Sequence, residues 1–346
     1  MPAKAETLRI ATYNVHLARK GPGLLLRDIV QGNDAQVRAV VQVIVAAHPD
    51  ILLVTEFDWD GTNAALSAMQ ASLVAAGASF PYSFAARPNR GMRSDVDLDG
   101  NGRIGGPGDA QGYGRFNGQY GMAILSRLPI DAGAAQDFST LLWRDLPGNM
   151  LDGAHLSPDA VAVQRLSTTG HWDVPVTLPG GQALHVLAYD ATPPVFDGPE
   201  DRNGRRNRDE TAFWLRYLDN TLPWPAPEAP FAILGDANLD PVDGDGRPDA
   251  LLALLADARV ADPRATSPGG AAAGRADDKG DPALDTTDWA KNRTAARNLR
   301  VDYVLPSSDL AIAGAGVFWP LPDDPMAAVV AAASPHRLVW VDIILP

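Results

Sequence analysis

Cysteine is missing from the 346-residue chain. Disulfides and thiolate metal sites are therefore excluded, and the redox environment stays open. No apolar run is long enough to span a bilayer, so a transmembrane segment is not expected. Positive charge is scarce: 29 Lys and Arg stand against 42 Asp and Glu, for a net charge of −13. An acidic surface repels nucleic acid over long range and disfavours a broad, non-specific duplex binder. It leaves a phosphoester substrate open, because metal ions and a few local arginines reverse the field inside one cleft. The opening residues, Met1-Pro-Ala-Lys-Ala-Glu-Thr7, carry no hydrophobic leader core and run almost at once into a strand. A secreted or periplasmic domain with its leader removed is the expectation.

What the chain does have is 46% hydrophobic residues in short recurring runs, with 32 Gly and 29 Pro that point to long loops. The length suits one large domain or two modest ones. Residues 8–14 alternate and read as a strand delivering Asn14 at its end. Asn33-Asp34 can cap a helix to about residue 48, with Val37, Val40, Val41, Ile44 and Val45 on one face. Ile51-Leu-Leu-Val-Thr is a buried strand ending on Glu56, and a helix is expected over 62–76. Strand, helix, strand, helix is the opening of an α/β fold. Neighbouring strands are expected at 120–127, 159–167, 171–178 and 183–189, the third and fourth joined by a turn at Gly180-Gly181. A helix is expected from about 207 to 219, with Phe213, Trp214, Tyr217 and Leu218 on its packing side, and a shorter one over 249–256. Phe231-Ala-Ile-Leu-Gly-Asp236 reads as a further buried strand. Strands over 299–305, 311–319 and from Ser334 onward close the chain.

Three loops stand out, near residues 87–118, 192–207 and 263–297. In the first, Asp97-Leu-Asp99-Gly-Asn101-Gly102-Arg103-Ile104 matches the first eight positions of a calcium loop. Oxygen donors alternate at positions 1, 3 and 5, Gly stands at 6, and Arg103 falls where a backbone carbonyl is used. No Glu stands at position 12, where Gly108 precedes Asp109, so an EF-hand is not expected but a Ca²⁺ ordering residues 97–109 is. A fainter echo runs from Asp240 to Asp249. The second loop carries Arg202, Arg205 and Arg206. These are candidates for a substrate phosphate, because guanidinium forks onto phosphate oxygens, or else partners of Glu200, Asp201 and Asp209.

Polar groups recur at strand ends: Asn14, Glu56, Tyr189-Asp190, Asp236, Asn238, Asp302 and His336. Ligands of open α/β sheets gather at such ends. Asp302 lies inside an apolar strand and needs a partner, and His336 suits it as an imidazole oriented by a carboxylate. The motifs Ala-Thr-Tyr-Asn14, Leu-Val-Thr-Glu56, Tyr-Gly-Met-Ala-Ile-Leu-Ser-Arg127, Gly-Asp236-Ala-Asn238, Arg-Val-Asp302-Tyr-Val-Leu and Ser-Pro335-His336-Arg come in one order across the chain. Together they resemble the endonuclease/exonuclease/phosphatase superfamily, which includes DNase I, exonuclease III-type AP endonucleases, neutral sphingomyelinases and inositol-phosphate 5-phosphatases.

The resemblance implies a single DNase I-like α/β domain over 1–346, a four-layered sandwich of two mixed β-sheets face to face with helices outside. It also implies a metal-dependent phosphoesterase, foremost a phosphodiesterase or nuclease, in which water attacks phosphorus in line. Glu56 with Asn14 would hold Mg²⁺ or Mn²⁺. Asp236 would orient or deprotonate the water, Asn238 would donate to a phosphate oxygen, and His336, oriented by Asp302, would serve the phosphate or the leaving oxygen. The substrate would be a nucleic acid, a nucleotide or a lipid headgroup, and the motifs imply no obligate protein partner. Two departures stand against this pattern. Pro335 replaces the Asp that usually precedes the histidine, and Asp190 stands where DNase-like members carry a His. Ala188-Tyr189 matches the AP-endonuclease branch, so Tyr189 is expected to contact phosphate and Asp190 to add a metal ligand. A phosphomonoesterase or sphingomyelinase-type enzyme stays open as an alternative, and so does a weakly active or inactive calcium-dependent binding protein on the same fold.

Overall fold

A computed structural model describes residues 6–289 and 297–345. Among them the strands are β1 (Thr7–Asn14), β2 (Ile51–Thr55), β3 (Tyr82–Phe84), β4 (Ala123–Ser126), β5 (Gln136–Asp137), β6 (His171–Thr177), β7 (Ala183–Asp190), β8 (Phe231–Asp236), β9 (Asp302–Pro306), β10 (Ile312–Val317) and β11 (Val339–Ile344). The helices are α1 (Leu24–Gln31), α2 (Ala35–Ala47), α3 (Ala64–Ala75), α4 (Pro158–Val163), α5 (Arg202–Leu218), α6 (Asp249–Leu255), α7 (Pro268–Ala273) and α8 (Pro325–Ala333). None is long and apolar enough to cross a membrane.

The strands form a six-stranded sheet in the order β10-β11-β1-β2-β4-β3 and a five-stranded sheet in the order β5-β6-β7-β8-β9. Both are mixed: β1·β2 and β7·β8 pair in parallel and their neighbours antiparallel. Successive side chains of a strand point to opposite faces, and here both faces are covered. Leu8, Ile10, Ile51 and Leu53 meet Ala232, Leu234 and Val304 between the sheets. Ala11, Tyr13, Leu52 and Val54 face Val40 and Ile44 of α2. Ile233 and Leu187 face Phe213 and Trp214 of α5. This is why the central strands read as unbroken apolar runs. The expected four-layered sandwich is the fold found.

The largest difference from expectation lies at 159–167, where a strand was expected. Pro158–Val163 is instead a short helix whose N-cap Ser157 accepts from Ala160 N at 3.2 Å, with Pro158 in the first turn. Ser-Pro is a helix-start signal, and it prevails over the Val/Ala alternation that suggested a strand. The partners of β6 are β5 and β7. Helix α5 begins at Arg202, five residues earlier than expected, inside the segment read as loop. Its first turns, Arg202-Asn-Gly-Arg-Arg-Asn-Arg, lack an apolar stripe because surrounding loops wrap over them and bury Arg206, Asn207, Asp209 and Glu210. Helices α1 and α8 were not expected. Alanine dominates α8 and weakens its amphipathic signal, yet Asp324 caps it by accepting Met326 N and it packs on α2. The 263–297 excursion contains α7 and a short 3₁₀ turn at Pro282–Leu284, while residues 290–296 of it lie outside the described residues.

Candidate active site

The parallel pairs β1·β2 and β7·β8 direct their carboxyl ends to one edge of the sandwich. Register aligns Asp190, Asp236 and Asp302 as direct neighbours across β7, β8 and β9. All three are buried. Gly235 makes this row possible: a Cβ there would stand 1.8 Å from the Tyr189 carbonyl oxygen, at a φ of +147°. The other sheet brings its own groups. Asn14 Nδ2 donates to Asp236 Oδ2 at 3.0 Å, and Asn14 Oδ1 accepts from the His16 backbone at 3.1 Å. His16 Nδ1 in turn meets Glu56 Oε2 at 2.6 Å.

His336 enters from the loop before β11. Its Nδ1 lies 2.9 Å from Asp302 Oδ2 and 3.8 Å from Asp236 Oδ2. Ser334 fixes that loop by donating to the Asn14 carbonyl at 2.7 Å and accepting the His336 backbone N–H at 3.0 Å. Thr286 Oγ1 donates to Asp302 Oδ2 at 2.8 Å, and the Trp289 ring packs nearly perpendicular to the imidazole with centroids 5.5 Å apart. Asp236 Oδ1 receives the Asn238 N–H at 2.8 Å, while Asn238 Nδ2 gives one hydrogen to the Ala191 carbonyl at 2.9 Å and keeps its second. The predicted residues Asn14, Glu56, Asp190, Asp236, Asn238, Asp302 and His336 are thus brought to one end of the sandwich.

Electrostatics follow from this crowding. Burial pushes the Asp236 carboxyl well above its ordinary range and the charge of Asp302 adds to it, against His336 and the Asn14 hydrogen bond. Asp190 rises to about 6 through burial, opposed by Arg90 and reinforced by Glu56. Burial alone would lower His336, but the carboxylates of Asp302 and Asp236 outweigh it and raise it to about 9. Burial likewise opposes ionisation of Glu56, yet the His16 hydrogen bond and the charges of His16, Arg90 and His336 hold its carboxyl low. The result is an imidazolium and an ionised Glu56 facing two carboxyls that resist ionisation.

Several expected roles need correction. Tyr189 does not face the cleft: strand alternation turns it to the outer layer, where its ring packs near His171 and Trp214 and burial raises its hydroxyl. Arg202, Arg205 and Arg206 hydrogen-bond backbone carbonyls, and among the described residues none of them forms an ion pair with the nearby acids. Arg202 reaches Leu98 O at 2.6 Å, Arg205 reaches Glu200 O at 3.0 Å, and Arg206 reaches Leu166, Gln111, Arg165 and Ser167. Asp201 pairs with Arg247 and Asp209 with Arg208 instead. Asn14 is hydrogen-bonded at both ends, so it positions Asp236 here. Among the described residues Asp236, Asp302 and His336 form a group of three possible metal donors within 4.8 Å of one another, beside the expected pair Glu56 and Asn14. His16, Thr286, Ser334 and Arg90 were missed. For His16 the Asn-x-His spacing at the end of a strand was available as a signal, and Ser334 lies in the Ser-Pro-His motif itself; Thr286 and Arg90 come from loops remote in sequence.

In the 97–109 loop, Asp97, Asp99 and Asp109 also bring one carboxylate oxygen each within 4.8 Å of the others. Asp109 is buried and ties the loop by accepting from Leu98, Gly105 and Gly106. The Asp240–Asp249 echo folds differently. Asp240 accepts from Val242, Asp243 and Arg300 backbones, and Asp243 from Lys279 and Gly280. Beside them Asp285 is 7% exposed, with no hydrogen bond to its carboxyl among the described residues. Burial and the charges of Asp240, Asp278, Asp243 and Asp281 raise it to about 7. A raised carboxyl costs stability as pH climbs from the unfolded value to the folded one. Asp285→Asn is therefore expected to stabilise the protein by about 1–2 kcal/mol above pH 7, after allowance for solvent screening. The gain should shrink as pH falls toward 4, as thermal melts in EDTA at pH 5 and 8 would register.

Comparisons with known proteins agree with this arrangement. The profile of the Endonuclease/Exonuclease/phosphatase family matches residues 11–336. No curated protein matches the chain. Among solved structures, an endonuclease/exonuclease/phosphatase from Beutenbergia cavernae is similar with a TM-score of 0.57 at 19% identity, covering 99% of this chain and 72% of that one. A mannosyl-6-phosphatase from Bacteroides thetaiotaomicron gives 0.53 at 12% identity, covering 98% and 100%. A truncated TDP2 from Caenorhabditis elegans gives 0.50 at 14% identity, covering 98% of each chain. At these identities the likeness is one of fold.

Proposed function

The chain belongs to the Endonuclease/Exonuclease/phosphatase family, whose members typically hydrolyse phosphoester bonds, and we propose that it is a metal-dependent phosphodiesterase. The observation that carries the reading is the buried Asp236–Asp302–His336 group, joined to Asn14 and Asn238 across two sheets. Asp236, near the imidazolium and restrained by Asn14 and Asn238, orients a water and accepts its proton. A carboxyl raised by burial and a neighbouring charge is a better proton acceptor once ionised than an exposed one. The second amide hydrogen of Asn238 and the protonated His336 are donors for phosphoryl oxygens, and Asp302 with Thr286 keeps the imidazole oriented and charged.

The oxygen-rich donor set fits a hard divalent cation such as Mg²⁺ or Mn²⁺. Asp302 Oδ1 supports that fit, being a buried carboxylate oxygen with no hydrogen-bond partner. Glu56 and Asn14 are the residues we assign to it, with the unpartnered Oδ1 of Asp302 as a further donor. When bound, the ion would neutralise charge building on the phosphoryl group. A panel of plasmid DNA, bis-p-nitrophenyl phosphate, p-nitrophenyl phosphate and sphingomyelin, each with Mg²⁺ or Mn²⁺ and with EDTA, tests the reading. Cation-dependent cleavage of a diester in preference to the monoester supports it. Cleavage of p-nitrophenyl phosphate alone would favour a phosphatase, and hydrolysis untouched by EDTA would sink the metal-dependent mechanism.

We assign Ca²⁺ to the 97–109 loop, held by Asp97, Asp99 and Asp109. Calcium should raise the melting temperature, with about 2.7 kcal/mol gained at a hundredfold excess over Kd. Asp97→Ala/Asp99→Ala should abolish that rise and leave the Ca²⁺-free melting temperature within a few degrees of the parent. A rise that persists in the double variant would remove the site. A secreted or periplasmic location fits a calcium-ordered loop, and we keep it as part of the proposal.

A further inference from the structure

Arg90 is a guanidinium that neither the sequence motifs nor the mechanism above employs. It is only 7% exposed. Its Nε donates to Thr169 Oγ1 at 2.9 Å, and Thr169 Oγ1 donates to Asp190 Oδ2 at 2.8 Å. Its Nη2 lies 3.8 Å from the same Asp190 oxygen, and its Cζ stands 5.2 Å from the centre of the Tyr120 ring. No hydrogen bond engages either Nη among the described residues. Asp190 is the register neighbour of Asp236, and Arg90's charge reaches both Asp190 and Glu56. The guanidinium, ion-paired with Asp190 through Nη2 but with neither Nη hydrogen-bonded, therefore belongs to the same polar cluster as Glu56 and Asp236.

The support under Arg90 is built for placement. Asn89, fully buried, donates to the carbonyls of Ser139 and Ser167 at 2.7 and 2.8 Å, and its backbone is bonded to Thr169 and Gly112. Gly91 N–H donates to the Gly112 carbonyl, and Gly118 N–H to that of Arg90. Gly91 has a φ of +72°, and a Cβ on it would stand 1.8 Å from the Phe116 carbonyl oxygen. The chain on both sides of Arg90 is thus fixed to other segments. Burying an arginine is costly unless its donors are used, and a planar fork held in place by one nitrogen leaves two others to meet a two-oxygen anion.

We propose that Arg90 is a substrate-phosphate ligand of this site, its Nη groups, which make no hydrogen bond among the described residues, taking two non-bridging oxygens of the phosphoryl group while Thr169 and Asp190 hold it in position. The inference rests on the phosphoesterase reading and adds a specificity element to it. The loop that carries Arg90, and not the arginine-rich start of α5, supplies the phosphate-binding cation, and Asp190 acts through Arg90 as a positioning residue.

The test uses the full chain and four variants, R90K, R90Q, D190N and R90Q/D190N. The double variant removes both members of the pair, so loss of folding from one unpaired charge does not obscure the outcome. KM for bis-p-nitrophenyl phosphate, the inhibition constant of inorganic phosphate, and calorimetric binding of inorganic phosphate with Mg²⁺ present are measured alongside thermal melts. Loss of a charge-assisted contact is expected to raise KM and the phosphate constant at least about tenfold in R90Q and in the double variant. R90K should recover part of the loss, because a point charge replaces a fork. Methylguanidinium should rescue the double variant but not the parent. Unchanged KM and phosphate affinity in a folded R90Q or double variant would overturn the proposal. A parent that hydrolyses none of the four panel substrates, yet binds inorganic phosphate with an affinity that R90Q loses, would count against the phosphoesterase reading and leave Arg90 as a phosphate ligand only.

Discussion

Asp236→Asn is expected to lower phosphoester hydrolysis by about three orders of magnitude, as loss of a positioned base does, while the protein stays folded. The expectation follows from what the carboxylate does and where it sits. Asp236 is fully buried at the end of β8, holds the Asn238 N–H and the Asn14 amide, and lies 3.8 Å from His336. An amide of the same size keeps the acceptor for Asn238 but can take no proton from water. It exchanges the Asn14 hydrogen bond for relief of the repulsion with Asp302. The two changes oppose each other in stability, so the melting temperature should move little. Steady-state kinetics with melting curves check both halves. Hydrolysis within tenfold of the parent would show that another group handles the water. A collapse in melting temperature would show that the carboxylate is there for the fold.

Removing divalent metal is the second large effect. EDTA should lower hydrolysis at least about a hundredfold, since the charge developing on the phosphoryl group then has no divalent counter-charge, and Mg²⁺ or Mn²⁺ should restore it. Glu56→Gln should raise the metal concentration needed for half-maximal activity about tenfold or more, the usual result of weakening a ligand shell. Glu56 reads as a ligand because its carboxyl is held ionised by surrounding cations at a strand end, and because His16 already lies 2.6 Å from one of its oxygens. A half-exposed imidazole on that oxygen is a partner that a cation can displace. If Glu56→Gln changed the turnover number and left the metal requirement where it was, the cation would have to be placed on Asp236 and Asp302 instead.

Much of this site can be read without coordinates because of how buried strands look in sequence. Ile51-Leu-Leu-Val-Thr and Phe231-Ala-Ile-Leu are covered on both faces, so a polar residue at their end stands out against an apolar run. Glu56 and Asp236 are conspicuous for that reason. Asp302 is conspicuous because it interrupts the apolar run read as a strand over 299–305, and its need for a partner is met by His336 at 2.9 Å. The helix starts were legible where a side-chain cap precedes an apolar face, as at Asp34 before α2. They were obscured where the helix is polar on every side, as in the first two turns of α5. There burial comes from loops wrapping over the helix, and no periodicity records it.

The order of polar strand ends and the alternation of strand and helix were legible in the sequence alone, since each depends on local pattern and on spacing along the chain. The sandwich layering and the phosphoester chemistry were implied by the family resemblance. Tertiary structure decided which of two adjacent residues faces the cleft, turning Tyr189 outward and Asp190 inward through strand alternation. It also decided which arginines turn to backbone carbonyls and which one stands beside a carboxylate of the cleft. Arg202, Arg205 and Arg206 meet carbonyls of loops that pass over α5, while Arg90 comes to Asp190 from a segment 100 residues away. Hydrogen bonds between distant loops carry no period and no fixed spacing, and a side chain's direction follows from pairing register. Those two things are set when the chain closes on itself.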